Sequence, residues 1–376
     1  MKKLYIEATD KATKIALTQD DILREVIIQN ESSWIDKIIL GKIKTILPNE
    51  MAFIDIGSSK NALMNTKPGH GLKAGDSILV QVQKDPSGKK GAYVSQSIKL
   101  KGSLVILSEH KGEAGVSRKI TTPDEIKRLK RIAQENTPPG YSVLIRTNAQ
   151  HKSEAEIVAE IENLYQTYQQ LKSTVATPPT TLYPKSTRDT ILTDFLSDDI
   201  SEIHISGNID GVNFPENAEV FQHEKNIFKK LNSQINAALE KTKNLPCGGN
   251  VTFEETEACV VIDVNTASNI SAKSYRETVL QTNLEAAACI TRQITLRNLS
   301  GIIIIDFIDM PSDADKAILM EALAEECKKE RIPPEIVGMI PLGMVQLTRR
   351  KTRPSLAQSM LADCQSCGGT GRVKRR

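Results

Sequence analysis

Residues 301–310, with the sequence GIIIIDFIDM, form the stretch around which the chain is organised. Four consecutive isoleucines after a glycine predict a buried central β-strand, and the run is far too short to span a membrane. The strand ends at Asp306, and Asp309 follows within one turn of chain. We interpret Asp306 as a functional carboxylate and Asp309 as a structural one. A strand of this kind predicts an α/β sheet with acids at the strand ends.

A second stretch of the same build lies earlier in the chain. Residues 259–265 have the sequence CVVIDVN, an apolar strand that ends in Asp263 and Asn265. The helical segment before Asp306 is long enough for a crossover, so the two strands are expected to be neighbours. Oxygen ligands at one sheet edge suit Mg²⁺. Alternatively, each acid only terminates its strand and caps the next element, but the pair beside Asn265 favours a metal site.

The composition is that of an ordinary globular protein. Charged residues make up 25% and apolar residues 39%, and aromatics only 4%, so the cores are expected to consist mainly of Ile, Leu and Val. The net charge of +3 is too small to indicate nucleic-acid binding by itself. Without an apolar signal segment or a membrane-length run, the expected location is the cytoplasm. Cys247, Cys259, Cys289 and Cys327 are expected to be reduced thiols, because six cysteines form no dense framework.

The first hundred residues have a β pattern. Alternating apolar and polar residues in 1–30 predict two or three antiparallel strands. Short strands separated by turns follow to residue 100 and fit a small OB-type barrel, a fold that often binds oligonucleotides. There Phe53 would be an exposed ring for base stacking, with Lys84 and Lys90 contacting phosphates. The alternative, that Phe53 is a core residue and the lysines are solvated turns, is equally compatible with the pattern.

The next segment combines strands and helices, with predicted helices over 123–134 and 154–172. A predicted strand over 141–147 ends in Arg146 and Thr147, whose planar fork and hydroxyl could hold a phosphate. A surface ion pair is the alternative for Arg146. Residues 177–184, rich in Pro and Thr, are predicted to be a linker.

Beyond this linker the pattern alternates between strand and helix, as in α/β proteins. The predicted helices are 186–195, 223–238, 274–297, 313–329 and 355–361, and the predicted strands are 202–206, 259–264, 302–305, 336–340 and 344–348.

The end of the chain carries a basic run and a cysteine pair. Residues 348–353 have the sequence TRRKTR, which predicts a solvated surface that could also guide RNA. Cys364 and Cys367 form a Cys-x-x-Cys knuckle followed by glycines. Zn²⁺ usually takes four ligands, and the sequence has no second pair, so two chains together would complete a site. A redox pair is the alternative, although the usual strand-to-helix setting of that motif is missing.

Taken together, these motifs resemble the bacterial ribonuclease E/G family. The resemblance depends mainly on VIDVNT at 261–266, TNLEA at 282–286, GIIIIDFIDM at 301–310 and the Cys364/Cys367 knuckle. It implies an α/β multidomain fold in which an S1-type OB barrel and a 5′-sensor region are inserted into a split RNase H-like domain. A DNase I-like α/β catalytic domain and a C-terminal zinc knuckle complete the chain. The implied ranges are 1–34 with 180–240 (RNase H-like), 35–100 (S1-type), 101–178 (5′ sensor), 241–362 (DNase I-like) and 363–376 (knuckle and basic tail).

The resemblance also implies roles for individual residues. Asp263 and Asp306 would bind Mg²⁺, and Asn265 would support that site. A 5′-phosphate sensor would be formed by Arg146, Thr147, Gly102 and Ile106. RNA would be contacted by Phe53, Lys84 and Lys90. The Zn²⁺ ligands would be Cys364 and Cys367, shared between two chains. The sequence departs from the family at two places: Leu63 stands where a second stacking aromatic is expected, and Pro333 where a further sensor Arg is expected, with only Arg331 close by.

The function implied is a magnesium-dependent endoribonuclease that cleaves single-stranded RNA and leaves 5′-phosphate and 3′-hydroxyl ends. It would act in rRNA and tRNA processing and mRNA decay, with some preference for 5′-monophosphate RNA, as a homodimer joined by shared zinc and without a membrane-spanning segment. The alternative is a non-catalytic RNA-binding regulator acting through the S1-type domain, which would tolerate loss of Asp263 or Asp306. A DNA nuclease is a weaker rival.

Overall fold

The computed structural model describes the chain except residues 10, 31–32, 49, 67–70, 87–89, 110–111, 113, 184–193, 198, 210–211, 213, 267–273, 341–342, 370 and 372–376. The predicted helix over 186–195 therefore lies mostly outside the described residues. In the described ranges, none of the helices is both long and apolar enough to cross a membrane.

The elements are strands first and mixed α/β later. The strands are β1 Lys2–Ala8, β2 Ala12–Gln19, β3 Ile22–Asn30, β4 Ile38–Leu47, β5 Met51–Asp55, β6 Ala62–Asn65, β7 Ser77–Lys84, β8 Tyr93–Ser95, β9 Lys99–Lys101, β10 Val105–Ser108, β11 Gly115–Val116, β12 Ser142–Ile145, β13 Thr180–Tyr183, β14 Ile200–Ser206, β15 Glu219–His223, β16 Thr242–Asn244, β17 Asn250–Glu255, β18 Val260–Asn265, β19 Gly301–Asp306, β20 Glu335–Met339 and β21 Val345–Arg349. The helices are α1 Pro123–Asn136, α2 Glu154–Ser173, α3 Asn232–Leu239, α4 Tyr275–Leu296, α5 Asp313–Lys329 and α6 Leu356–Met360, with 3₁₀ turns at Thr147–Ala149 and Ile227–Lys230.

The first sheet joins β1 to β3, from the start of the chain, with β14 and β15, which follow much later in the sequence. Its order is β15-β14-β1-β2-β3. Strands β1 to β3 form an antiparallel meander, which confirms the alternation read in residues 1–30. The helix predicted over 223–238 is wrong in its first half. His223 ends edge strand β15, and Asn226 takes a left-handed conformation (φ 65°) that interrupts any helix before α3.

The second sheet closes into the predicted OB-like barrel. Its order is β13-β4-β5-β6-β8-β7, and β4 also pairs with β7, so the five strands from β4 to β8 form a closed ring. The barrel core consists of aliphatic side chains, as the low aromatic content predicted. The linker prediction is wrong for Thr180–Tyr183, because this segment pairs with β4 as an added edge strand.

The third sheet is small and packs against two helices. It has the order β11-β12-β10-β9, and helices α1 and α2 contribute to one core with it. A capping box at Ser153 and Glu156 begins α2, whose apolar stripe includes Ile157, Ile161 and Tyr168. This sheet places Arg146 directly after β12.

The fourth sheet has the order β16-β17-β18-β19-β21-β20 and carries the two motif strands side by side. Strands β18 and β19 are parallel, with α4 in the connection between them, as predicted. The predicted burial of β19 holds for one face only: Ile303 and Ile305 are buried, whereas Ile302 is 44% exposed. The core of this sheet, which includes residues of α4 and α5, lies on one face, and the other face of β19 is open.

Candidate active site and RNA-contacting surfaces

The two motif acids face each other across the pair of parallel strands. Asp263 of β18 is in register with Asp306 of β19, and both side chains are exposed. Because side chains alternate along a strand, Ile262 and Ile305 point into the core while the acids point to the open face. The structure therefore brings together the two carboxylates that the sequence singled out.

Asn265 lies on the same face and contacts one of these acids. Its Nδ2 donates a hydrogen bond to Asp263 Oδ2 at 2.7 Å, which orients that carboxylate. Among the described residues, no group of three or more His, Cys, Asp or Glu side chains could enclose a metal. Two carboxylates and an amide nevertheless fit Mg²⁺, which is usually bound by one or two carboxylates and keeps waters and substrate phosphates as further ligands.

Asn283 is a positioning residue that the sequence reading missed. It is fully buried in α4, where its Nδ2 donates to Ile308 O at 2.8 Å and its Oδ1 accepts from Ile308 N at 3.1 Å. These two bonds hold the backbone turn that directly follows Asp306. The motif TNLEA at 282–286 thus has a structural reason, but only the fold reveals the partner of Asn283.

The guanidinium of Arg146 is held by two partners. Its Nη1 donates to Gly102 O at 2.6 Å, and its Nη2 donates to Asp194 Oδ1 at 2.8 Å. Thr147 is the next residue, with its Oγ1 3.0 Å from Ser117 Oγ. These residues and Ile106 lie close together, so the structure assembles the four predicted sensor residues in one region.

The backbone next to Gly102 is fixed by a half-buried carboxylate. Glu160 of α2 accepts hydrogen bonds from the backbone N–H groups of Ser103, Leu104 and Val105 at 2.7–2.8 Å. A Cβ at Gly102 would lie 2.5 Å from that carboxylate, so a larger residue would have to push Glu160 away from these three hydrogen bonds. The carbonyl that orients Arg146 therefore belongs to a tightly constrained turn.

Arg331 enters the same region from the other end of the chain. It forms a two-pronged ion pair with Glu25, at 3.1 Å from Nε and 2.6 Å from Nη2. Its Nη1 lies 3.9 Å from Asp194 Oδ2, and its guanidinium stacks 4.6 Å from the centre of the Phe195 ring. Asp194 thus lies between Arg146 and Arg331. Arg331, two residues before Pro333, therefore supplies a second guanidinium beside Asp194.

A cavity of about 1580 Å³ joins these groups. Its lining comes from three of the sheets and their helices, and includes Arg146, Thr147, Ile106, Asp194 and Arg331. Lys119 lies at its wall and donates to Glu330 O at 2.6 Å, and burial lowers the pKa of Lys119. The cavity is large enough for more than a single phosphate group.

The basic run at 348–353 differs from its prediction at Arg349. This residue is 4% exposed and donates to Ile332 O, Leu299 O and Asn298 Oδ1 at 2.9–3.0 Å. Burial also lowers the pKa of Arg353 to about 10. Arg349 is thus a buried structural group and Arg353 is half-buried, whereas Arg350 and Lys351 are exposed, as predicted for the run.

The barrel surface exposes the aromatic ring and the two lysines that were predicted to contact RNA. Phe53 is 36% exposed on β5, so the interpretation of this ring as a core residue is wrong. Leu63 lies beside Phe53, and Tyr93 lies beside Leu63 in the strand register. Lys84 Nζ lies 5.9 Å from the Tyr93 ring centre, and Lys84 and Lys90 are exposed. Tyr93 is a second ring that sequence reading missed, because only the register places it in this row.

The knuckle residues adopt a turn in which backbone N–H groups point at sulfur. Gly371 N donates to Cys367 Sγ at 3.3 Å, and Gly368 N donates to Cys364 O at 2.7 Å. Hydrogen bonds from the backbone N–H groups of Cys367 and Ser366 lower the pKa of the Cys364 thiol, which favours the thiolate that binds zinc. None of the six cysteines forms a disulfide bond in the described part of the chain, which agrees with the reduced state expected for Cys247, Cys259, Cys289 and Cys327.

Comparison with known proteins decides the family. A family model described as the ribonuclease E/G family matches residues 99–352, more than half of the chain. The chain belongs to the ribonuclease E/G family. It is 30% identical to a ribonuclease G of Haemophilus influenzae over 99% of this chain and 84% of that protein. It is 28% identical to ribonuclease G of Escherichia coli K12 over the same shares, and 31% identical to a ribonuclease E of Synechocystis over 98% of this chain and 60% of that protein.

The range matched by the family model includes some of the predicted site residues and leaves out others. The matched range contains Asp263, Asp306, Arg146 and Arg331, and therefore both the sheet edge and the groups around Asp194. The barrel ring Phe53 and the knuckle cysteines lie outside it, and only the full-length similarity to the relatives covers them.

Proposed function

We propose that this protein is a magnesium-dependent endoribonuclease that cleaves single-stranded RNA within the chain. The observation that carries the proposal is the register of Asp263 with Asp306 on an open sheet face, in a chain of the ribonuclease E/G family. Asp263 and Asp306 would hold the ion, and bound Mg²⁺ would supply an activated water and offset the charge that develops on the phosphate.

The chain's own groups hold this arrangement in place. Asn265 orients Asp263 through its 2.7 Å hydrogen bond, and Asn283 fixes the turn after Asp306. The exposed Phe53 ring would stack an RNA base on the barrel surface, and the exposed Lys84 and Lys90 would contact phosphates. Attack by water leaves a 5′-phosphate and a 3′-hydroxyl and needs no 2′-hydroxyl. The cellular roles that fit are rRNA and tRNA processing and mRNA decay.

The direct test is cleavage of a 5′-labelled single-stranded RNA. We expect internal cuts with Mg²⁺ and none with excess EDTA, because the two carboxylates alone provide no electrophile. The product ends are checked by ligation, which requires a 5′-phosphate and a 3′-hydroxyl. A matched DNA of the same sequence is the control for the DNA nuclease alternative. Binding without cleavage would favour the non-catalytic RNA-binding regulator.

We also propose that Arg146 and Thr147, with the Gly102 and Ile106 backbone, bind the 5′ monophosphate of RNA. The Asp194 carboxylate, 2.8 Å from Arg146, shows that the guanidinium is oriented to bind an oxyanion, and the phosphate would take the place of that carboxylate. Arg331 is the second cation beside the same carboxylate, at 3.9 Å.

Replacing Arg146 by Ala should remove any advantage of 5′-monophosphate over 5′-hydroxyl RNA. We expect the wild type to cleave the monophosphate substrate several-fold faster, and the variant to cleave both at the rate of the 5′-hydroxyl substrate. The measurement is the ratio of initial rates at substrate concentrations below KM. Arg146→Lys, which keeps the charge but loses the fork, should retain part of the ratio. Equal rates already in the wild type would remove these residues from the site.

For the knuckle we propose a zinc ion shared by Cys364 and Cys367 of two chains. Mass spectrometry under native conditions should show a dimer with one Zn²⁺ per two chains, because each chain offers two thiols and zinc prefers four ligands. Cys364→Ser should lose both the zinc and the dimer, whereas Cys259→Ser, a cysteine near the β17–β18 hairpin, should keep both. A dimer free of zinc would count against the shared site.

A further inference from the structure

A β-bulge places Arg24 in the cavity. In the pairing of β2 with β3, Leu17 is opposite Glu25 and Thr18 is opposite Leu23, so Arg24 is the extra, unpaired residue. Bulges of this kind redirect a side chain and are frequent beside functional sites. Here Leu23 is buried in the core, while the consecutive residues Arg24 and Glu25 both line the cavity.

Arg292 of α4 lines the same cavity, and its guanidinium shares an unusual property with that of Arg24. The Nε atoms of both residues are buried and lack a hydrogen-bond partner among the described residues. Among the described residues, neither Arg24 nor Arg292 forms an ion pair with a carboxylate. Arg146 and Arg331, by contrast, both do. Buried donors are normally satisfied, and an unsatisfied one is costly, so this pair indicates a missing acceptor.

The charges around the pair also favour an anion. Burial and the nearby charge of Arg24 lower the pKa of Arg292, so the two guanidinium groups are close enough to repel each other. Glu285 also lines the cavity, but it already accepts a hydrogen bond from Cys247 N at 2.8 Å. Glu330 also lines the cavity and lies near Arg24, but among the described residues it forms no ion pair with either arginine.

We propose that Arg24 and Arg292 form a second anion site, which binds an internal phosphodiester of RNA lying in the cavity. The volume of about 1580 Å³ exceeds that of an ordinary small-molecule pocket and suits a short stretch of polymer. Two arginine forks can surround one phosphate with charge-assisted hydrogen bonds. The inference rests on the proposed RNA substrate but not on the proposed role of Arg146.

The test measures binding of an eight-nucleotide RNA with either a 5′ phosphate or a 5′ hydroxyl. The full chain is titrated in EDTA over a series of salt concentrations, and the recovered RNA is checked to be intact. The double variant Arg24→Gln/Arg292→Gln should raise the Kd of both RNAs by about tenfold. The slope of log K against log salt should fall by about 0.7, the value for one phosphate of a single strand. Arg24→Lys/Arg292→Lys should keep most of the slope.

The matched control is Arg131→Gln, an exposed arginine of α1 outside the cavity lining, which should leave both Kd and slope unchanged. Unchanged binding by the double variant would overturn the proposal. Weaker binding of only the 5′-phosphate RNA would also overturn it, because Arg24 and Arg292 would then bind the terminal phosphate and not an internal one. Thermal melting checks the fold, and if the double variant melts early the single variants carry the test. If the double variant binds both RNAs as the wild type does while Arg146→Ala still loses the 5′ preference, only this inference fails. If the wild type binds neither RNA, the proposed function fails first.

Discussion

Replacing Asp306 by Asn should lower the rate of RNA cleavage by at least about a thousandfold while RNA binding stays within twofold. Asn keeps the size of the side chain and the exposed position on β19 but removes one of the two facing carboxylates. A metal held by the remaining acid would be weaker and misplaced, and metal catalysis contributes several kcal/mol to a reaction of this kind. Initial rates with Mg²⁺ and fluorescence anisotropy with the same RNA provide the two measurements.

The matched control for this variant is Asp309→Asn. Asp309 is the other acid of the motif and is also exposed, but it lies beyond the turn that Asn283 holds. We expect it to retain most of the wild-type rate. If Asp306→Asn cleaved RNA within tenfold of the wild type, the sheet edge would not be the active site. If both variants were equally inactive, the turn rather than the Asp306 carboxylate would be responsible.

The placement of the two acids could be predicted because it results from local rules. Two apolar strands with a helix between them are normally parallel neighbours, so Asp263 and Asp306 had to reach one edge of the sheet. The exposure of Ile302 could not be predicted in this way. Four isoleucines in a row predict a buried strand, but the run itself does not show that the core lies on only one face of the sheet.

The residues that contact the predicted sensor residues could not be predicted from the sequence, for a different reason. Arg146 is visible at the end of a predicted strand, but Asp194 is 48 residues away and the Glu25–Arg331 pair spans 306 residues. Such pairs leave no period or spacing in a single sequence. The same holds for Tyr93, which joins Phe53 only through the register of β5, β6 and β8. His223 was predicted as the first residue of a helix, but it ends edge strand β15, where pairing with β14 overrides local preference.

Replacing Glu25 by Ala should lower the apparent free energy of unfolding by about 3 kcal/mol, the scale for leaving one member of a buried ion pair without its partner. Glu25 is 8% exposed and binds Arg331 through two hydrogen bonds that join β3 to the segment after α5. In the variant, Arg331 keeps only the more distant Asp194, at 3.9 Å. The shift of the urea unfolding midpoint measures the loss.

Two comparisons separate this pair from an ordinary ion pair. Glu135→Ala removes a carboxylate from Arg131 where both side chains are 54% exposed, and it should cost less than about 0.5 kcal/mol. The double variant Glu25→Ala/Arg331→Met should be more stable than Glu25→Ala alone, because it also removes the unpaired charge. If Glu25→Ala unfolded at the wild-type midpoint, the pair would contribute nothing to the fold. If Glu25→Ala were destabilised and the double variant were even less stable, Phe195 and Asp194 would be the main partners of the Arg331 guanidinium. The position of Arg331 beside Asp194 would then not depend on Glu25.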